Sequence, residues 1–177
     1  MKRLIIIVIL FTIPIYLNGQ TKLPLPIVDN KIIFTEVVMV DNIQKDQLYS
    51  RTKLWFADNF KSTKDVIQLD DKENGIVLGK GKLQINVSQE NKPLIMTLRI
   101  TVKIELKDDK YKVDIYDIQI QGVVPDGFEP SAVYINIEEA LFNPRFYNDP
   151  DEILFVNKLF QICNSLLSGI KKSLTDF

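Results

Sequence analysis

Residues 66–81 read VIQLDDKENGIVLGKG, with three acids followed by three glycines and a lysine. Such a stretch invites a metal loop or a phosphate cradle. A calcium loop starting at Asp70 would need Asp or Asn at its third position, where Lys72 stands. Its twelfth position requires a bidentate Glu and holds Gly81. Asn74 and Gly75 fit, but the ligand set fails twice. A looser surface site through Asp70, Asp71 and Glu73 is the residual alternative. A dinucleotide fingerprint at Gly79-Lys80-Gly81 would need a third glycine where Gln84 stands. A P-loop needs Ser or Thr after Gly-Lys, and Gly81 follows. The remaining reading is a hairpin, with Asn74-Gly75 supplying the left-handed conformations of its turn.

The other acids look structural. Asp108-Asp109 suits a turn, Glu138-Glu139 lies in a short helical stretch, and Asp149, Asp151 and Glu152 suit a helix start. A glycosidase pair needs two carboxyls about 5–10 Å apart across a cleft, and the spacing supports none. The chain contains no histidine, which removes Ser–His and Cys–His catalysis and most transition-metal ligand sets. Its single cysteine, Cys163, lies within an apolar helical pattern and reads as a buried free thiol. No catalytic, cofactor or metal site is predicted.

The ends and the charge place the molecule. Lys2 and Arg3 precede an apolar run from Leu4 to Leu17. That run is shorter than the roughly 20 residues a spanning helix needs. It has the pattern of a signal peptide over residues 1–20, with no cysteine there for a lipid anchor. The expectation is an exported protein, periplasmic or secreted, with no membrane span after cleavage. Without Lys2 and Arg3, 20 basic residues face 23 acidic ones. A mildly acidic exported chain is a poor nucleic-acid partner.

The elements that must hold any site follow from periodicity. Residues 21–30 carry two prolines and read as an extended lead-in. KIIFTEVVMVD, 31–41, reads as a strand. In residues 44–61, Leu48, Thr52, Trp55, Phe56 and Phe60 form a helical stripe. Gln44 is a poor cap for it, so Asp41 or Asn42 is expected to serve. After the acidic turn, Val77, Gly79, Gly81, Leu83, Ile85 and Val87 take the helix-facing phase, the glycines leaving room for a helix or a bend in the sheet. In LIMTLRITVKIELK, 94–107, alternation is unbroken: Leu94, Met96, Leu98, Ile100, Val102, Ile104 and Leu106 face one way. KYKVDIYDIQIQ, 110–121, slips phase, which predicts a β-bulge between Ile115 and Tyr116. Residues 122–148 form a long connection with one short helix, NIEEALF, boxed by Asn136 and Glu139. Its aromatics Tyr134, Phe142, Phe146 and Tyr147 suit a lid or a partner contact. A long amphipathic helix begins at Pro150, its stripe running Ile153, Val156, Phe160, Cys163, Leu167, Ile170.

The order β-α-β-β-β-β-α predicts an α+β domain over residues 31–177, its antiparallel sheet carrying both helices on one face. The opposite face, left open or covered by the 122–148 segment, collects Lys80, Lys82, Arg99, Lys103 and Lys112, a basic strip offset by Glu105 and Asp114. These five are the candidate binding residues.

The stretches TEVVMVDNIQKDQLYSRTKLWFADNF, VIQLDDKENGIVLGKG and DDKYKVDIYDIQI resemble a family of exported bacterial domains of unknown function with a TBP-like fold, mainly from Bacteroidota. The resemblance rests on Glu36-Val37-Val38, Leu48-Tyr49, Trp55, Asp71-Lys72-Glu73, the glycines at 75, 79 and 81, and Lys110-Tyr111, and covers about residues 24–122. It implies the fold and export and brings no catalytic residues. The resulting expectation is a non-enzymatic exported domain that binds a polar or anionic ligand or a protein partner on the open sheet face. The alternatives are a carboxylate-dependent envelope hydrolase and a structural envelope component. The sequence leaves the oligomeric state open.

Overall fold

The computed structural model describes residues 25–60, 66–86, 95–121, 134–142 and 150–176. Eight strands and three helices occupy them: β1 Ile27–Val28, β2 Lys31–Ile32, β3 Phe34–Met39, α1 Lys45–Asn59, β4 Ile67–Asp71, β5 Ile76–Asn86, β6 Ile95–Lys107, β7 Lys110–Gln121, β8 Tyr134–Asn136, α2 Ile137–Leu141 and α3 Pro150–Thr175. The main sheet is antiparallel, ordered β3-β7-β6-β5-β4, with β8 paired to the far end of β7. The predicted β-α-β-β-β-β-α α+β architecture is present.

Residues 21–30 are not wholly extended, and 31–41 is not one strand. β1 and β2 form a separate two-stranded hairpin. Its two-residue loop, Asp29-Asn30, has both φ values positive, at 49° and 58°, as a tight hairpin turn requires. Strands of two residues carry no periodicity, so the hairpin left no alternation to read.

Helix α1 lies on β5 and β6, and the fit explains two glycines. A Cβ on Gly79 would stand 2.4 Å from the Phe56 ring, and one on Gly81 would stand 1.9 Å from the Phe60 ring. The expected stripe is fully buried: Leu48, Thr52, Trp55, Phe56 and Phe60. Trp55 stacks edge-on to both phenylalanines at 4.9 and 5.8 Å, so it is a core aromatic.

The N-terminal cap of α1 is neither Asp41 nor Asn42. Gln44 occupies the cap position, and its backbone N–H donates to Gln47 Oε1 at 3.3 Å. The Lys45 N–H donates to Asp108 Oδ1 at 2.8 Å, so a distant turn satisfies a helix-end donor.

Helix α3 packs beside α1 and over β3. Val156, Leu159, Cys163, Leu167, Ile170 and Leu174 are buried, whereas Ile153 is exposed. The helix is long and apolar enough to cross a membrane by length and composition. Its buried stripe instead forms part of the core. Arg51 of α1 donates to the Leu174 carbonyl, placing a cation on the negative end of α3. Cys163 is a buried free thiol, and burial pushes its pKa up to about 12.

Strand β6 obeys its alternation: Leu98, Ile100, Val102, Ile104 and Leu106 are all buried under the helices. The bulge in β7 lies slightly later than predicted. Arg99 pairs with Gln119 and Thr101 with Tyr116, so Asp117 and Ile118 oppose Ile100 alone. Asp117 takes a φ of 50°. Tyr116 stays in the outer phase, and Ile118 and Ile120 resume the buried one.

Candidate functional site

The face of the main sheet opposite α1 and α3 holds all five candidate cations. They come from three strands: Lys80 and Lys82 on β5, Arg99 and Lys103 on β6, and Lys112 on β7. The strip is not uniformly basic. Lys80 Nζ lies 3.0 Å from Asp117 Oδ2, and Thr101 Oγ1 donates to the same oxygen at 3.3 Å. Lys103 pairs with Glu105 at 2.9 Å. Lys112 pairs with Asp114 at 2.8 Å and stands 4.0 Å from Glu105. The hydrogen bond to Asp114 raises the Lys112 pKa. Asp114 is nearly buried and also accepts from Thr35 Oγ1 at 2.7 Å, which fixes its carboxylate.

Two cations remain. Lys82 and Arg99 face each other directly across β5 and β6, both exposed. No carboxylate pairs with either among the described residues. Like charges directly opposite in an antiparallel pair are destabilising. The guanidinium of Arg99 lies flat over the Tyr134 ring, 3.5 Å from its centroid. That stacking holds the guanidinium plane, and among the described residues its N–H edge meets no acceptor and suits a planar anion. Strand β8 is what brings Tyr134 there, since Tyr134 pairs with Gln121. Beside Arg99, Gln119 Nε2 donates to Asn136 Oδ1 at 3.1 Å. The geometry therefore reduces a strip of five cations to a corner of two, with an aromatic backing and amide neighbours.

Sequence reasoning placed Tyr134 in a lid but did not connect it to Arg99. The short helix α2 was expected, but its Asn136 cap makes no side-chain cap bond, because Gln119 holds that side chain. Glu138 is buried and accepts from the Ile32 N–H at 3.0 Å, tying α2 to β2. Phe142 is exposed, while Phe146 and Tyr147 lie outside the described residues.

The acids of the opening stretch do not converge. Asp70 turns toward α1, where Tyr49 donates to it and Lys53 forms an ion pair with it. Those bonds, from Lys53 first and Tyr49 second, lower the Asp70 pKa. Asp71 instead accepts from the Asn74 N–H at 3.0 Å and from Asn74 Nδ2 at 2.7 Å. In that turn Gly75 alone has a positive φ, at 68°, and Asn74 serves as Asp71's partner. Among the described residues no group of three acids or thiols could hold a metal ion.

Comparison with known proteins fixes the family. Residues 34–121 match the model of DUF4468, a domain of unknown function with a TBP-like fold. Over those residues the chain belongs to the DUF4468 family. Two solved structures share the fold. A TBP-like protein from Parabacteroides distasonis ATCC 8503 superposes with a TM-score of 0.67 at 16% identity, covering 84% of this chain and 96% of that one. A DUF4468 family protein from Bacteroides ovatus ATCC 8483 gives 0.68 at 15% identity, covering 85% and 90%. Comparison with curated proteins yields no match. The DUF4468 assignment spans β3 to β7, the elements that carry all five cations.

Proposed function

We propose that this DUF4468 chain is an exported, non-enzymatic binding domain that captures an anionic group at the Lys82–Arg99 corner of its open sheet face. One observation carries the reading. Lys80, Lys103 and Lys112 each have a carboxylate partner, whereas the directly opposed Lys82 and Arg99 have none among the described residues. A pair that costs stability in the free protein is relieved when an anion sits between its members. The stacked guanidinium suits a carboxylate of a protein partner or of a small acid. Export rests on the N-terminal pattern of Lys2, Arg3 and the apolar run behind them.

Native mass spectrometry of the protein recovered from its own cell envelope tests this. The wild type is expected to retain an acidic small molecule or a protein. The double variant Lys82→Glu, Arg99→Glu is expected to lose it while keeping its fold. Equal retention by both proteins, or a bare wild type, defeats the proposal.

A further inference from the structure

The two edges of the main sheet differ in a way that points to a partner. Free edges are ordinarily blunted by brevity, charge, proline or a bulge. Edge β4 follows that rule: it spans five residues, breaks register between Ile67 and Leu69, and ends in Asp70-Asp71. Edge β3 does not. FTEVVM pairs with β7 in unbroken register over six residues and has no proline, lysine or bulge. Its only charge, Glu36, lies on the helix side, 4.0 Å from Lys171.

The hydrogen-bonding direction follows from its two ends. The Val40 N–H donates to the Asp109 carbonyl at 2.9 Å, toward β7. The Ile33 N–H donates the other way, to Pro26 at 3.1 Å, so the segment before β1 already sits on this edge at Ile33 and any seam is confined to Thr35–Met39. Alternation along an antiparallel strand then turns the N–H and C=O of Thr35, Val37 and Met39 to the outer edge, which no other strand covers among the described residues. Val37 and Met39 are 61% and 68% exposed, and among the described residues no strand pairs with them on that side.

We infer that β3 is the seam of a two-fold homodimer in which the β3 strands of two copies pair antiparallel about Val37, joining their sheets. In that register Val37 opposes itself, Thr35 opposes Met39, and Glu36 opposes Val38, so no like charges meet on the seam. The flanking charges are complementary. Asp114 lies beside Thr35 and Lys110 beside Met39, so each row across the seam runs from an acid in one copy to a lysine in the other. The central Lys112 is already neutralised by Asp114. On the helix side, a groove of about 400 Å³ runs between β3 and α3, lined by Leu25, Phe34, Phe160, Asn164 and Leu167. A continued sheet sets the second copy's α3 along that groove.

Light scattering and disulfide trapping test the seam on the purified chain, expressed with its N-terminal segment so that the host processes it. The wild type is expected at twice the monomer mass. Val37→Lys is expected at the monomer mass with an unchanged circular dichroism spectrum, since Val37 supports no core. In the trapping arm, directly opposed Cα atoms in this register stand about 5.5 Å apart, within disulfide reach. Val37→Cys is therefore expected to give a covalent dimer on oxidation, and Lys82→Cys is not. Native Cys163 is buried and does not interfere. A monomeric wild type, a Val37→Lys dimer, or a dimer that Val37→Cys fails to trap each overturns the inference.

Discussion

Asp108 Oδ1 accepts a hydrogen bond from the Lys45 backbone N–H at 2.8 Å, across 63 positions of sequence. The β6–β7 turn thereby seals the start of α1, and neighbouring bonds fasten the same junction. The Asp109 N–H donates to the Ile43 carbonyl at 3.0 Å, and the Leu106 N–H donates to Gly75 at 2.7 Å. Replacing an N-cap carboxylate with alanine typically costs about 1 kcal/mol. Asp108→Ala is expected to lower the denaturation midpoint by that amount without changing the slope. Asp108→Asn, which keeps an acceptor oxygen, should retain most of the stability. Equal losses in the two variants would assign the effect to the turn rather than to the cap.

The glycines of β5 are set by aromatic rings. A methyl group on Gly81 would stand 1.9 Å from Phe60, and Phe60 is buried with little room to withdraw. Overpacking of this kind costs about 1–3 kcal/mol. Gly81→Ala is expected to destabilise by that amount, and Gly81→Ala with Phe60→Leu to recover part of it. The thermal midpoints of the two variants check the coupling. If the double variant is only additive, the ring is not what excludes the methyl group.

This packing was readable from the sequence because both partners leave periodic marks. Gly79 and Gly81 fall in the apolar phase of β5, and Phe56 on α1 and Phe60 at its C-terminal cap are four residues apart. The Asp108 cap was not readable, since no local rule joins residues 45 and 108. The state of the basic strip was hidden for a related reason. All five cations have the right phase, but the partner of Lys80 is Asp117, which the bulge turns onto the open face. A shift of a residue or two in the bulge decides whether Lys80 is paired or free. The stacking of Arg99 on Tyr134 was beyond reach too, because it depends on β8, a three-residue strand.

Tyr49 and Asp70 make the stability respond at both ends of the pH scale. Donation to Asp70 is the main cause that pushes the Tyr49 pKa from 10.0 up to about 12. Between those values the unfolded chain has lost the proton and the folded one keeps it, so stability falls as pH rises. Asp70 is shifted the other way, below 3.8. Its contribution is present above the unfolded pKa and is lost as pH falls through the folded one. Melting curves of the wild type and Tyr49→Phe across pH 9–12 check the alkaline limb, which should be flatter in the variant. Parallel curves would show that Tyr49 does not carry it.

Asp117 offers a test that links the bulge to binding. Its φ of 50° is a conformation that Asn tolerates and Ala does not, at a cost of about 1–2 kcal/mol for the latter. Asp117→Asn is expected to keep the bulge and the fold while freeing Lys80 from its ion pair. The corner would then present three unneutralised cations instead of two. Under the proposed function, binding of an acidic peptide such as polyglutamate should tighten, by up to about fivefold for one exposed charge. The gain should shrink as salt is raised. Titration of wild type, Asp117→Asn and the Lys82→Glu, Arg99→Glu variant with the same peptide separates the possibilities. A tighter Asp117→Asn and a non-binding double variant support the corner. Unchanged affinity in both places the acidic partner elsewhere on the molecule.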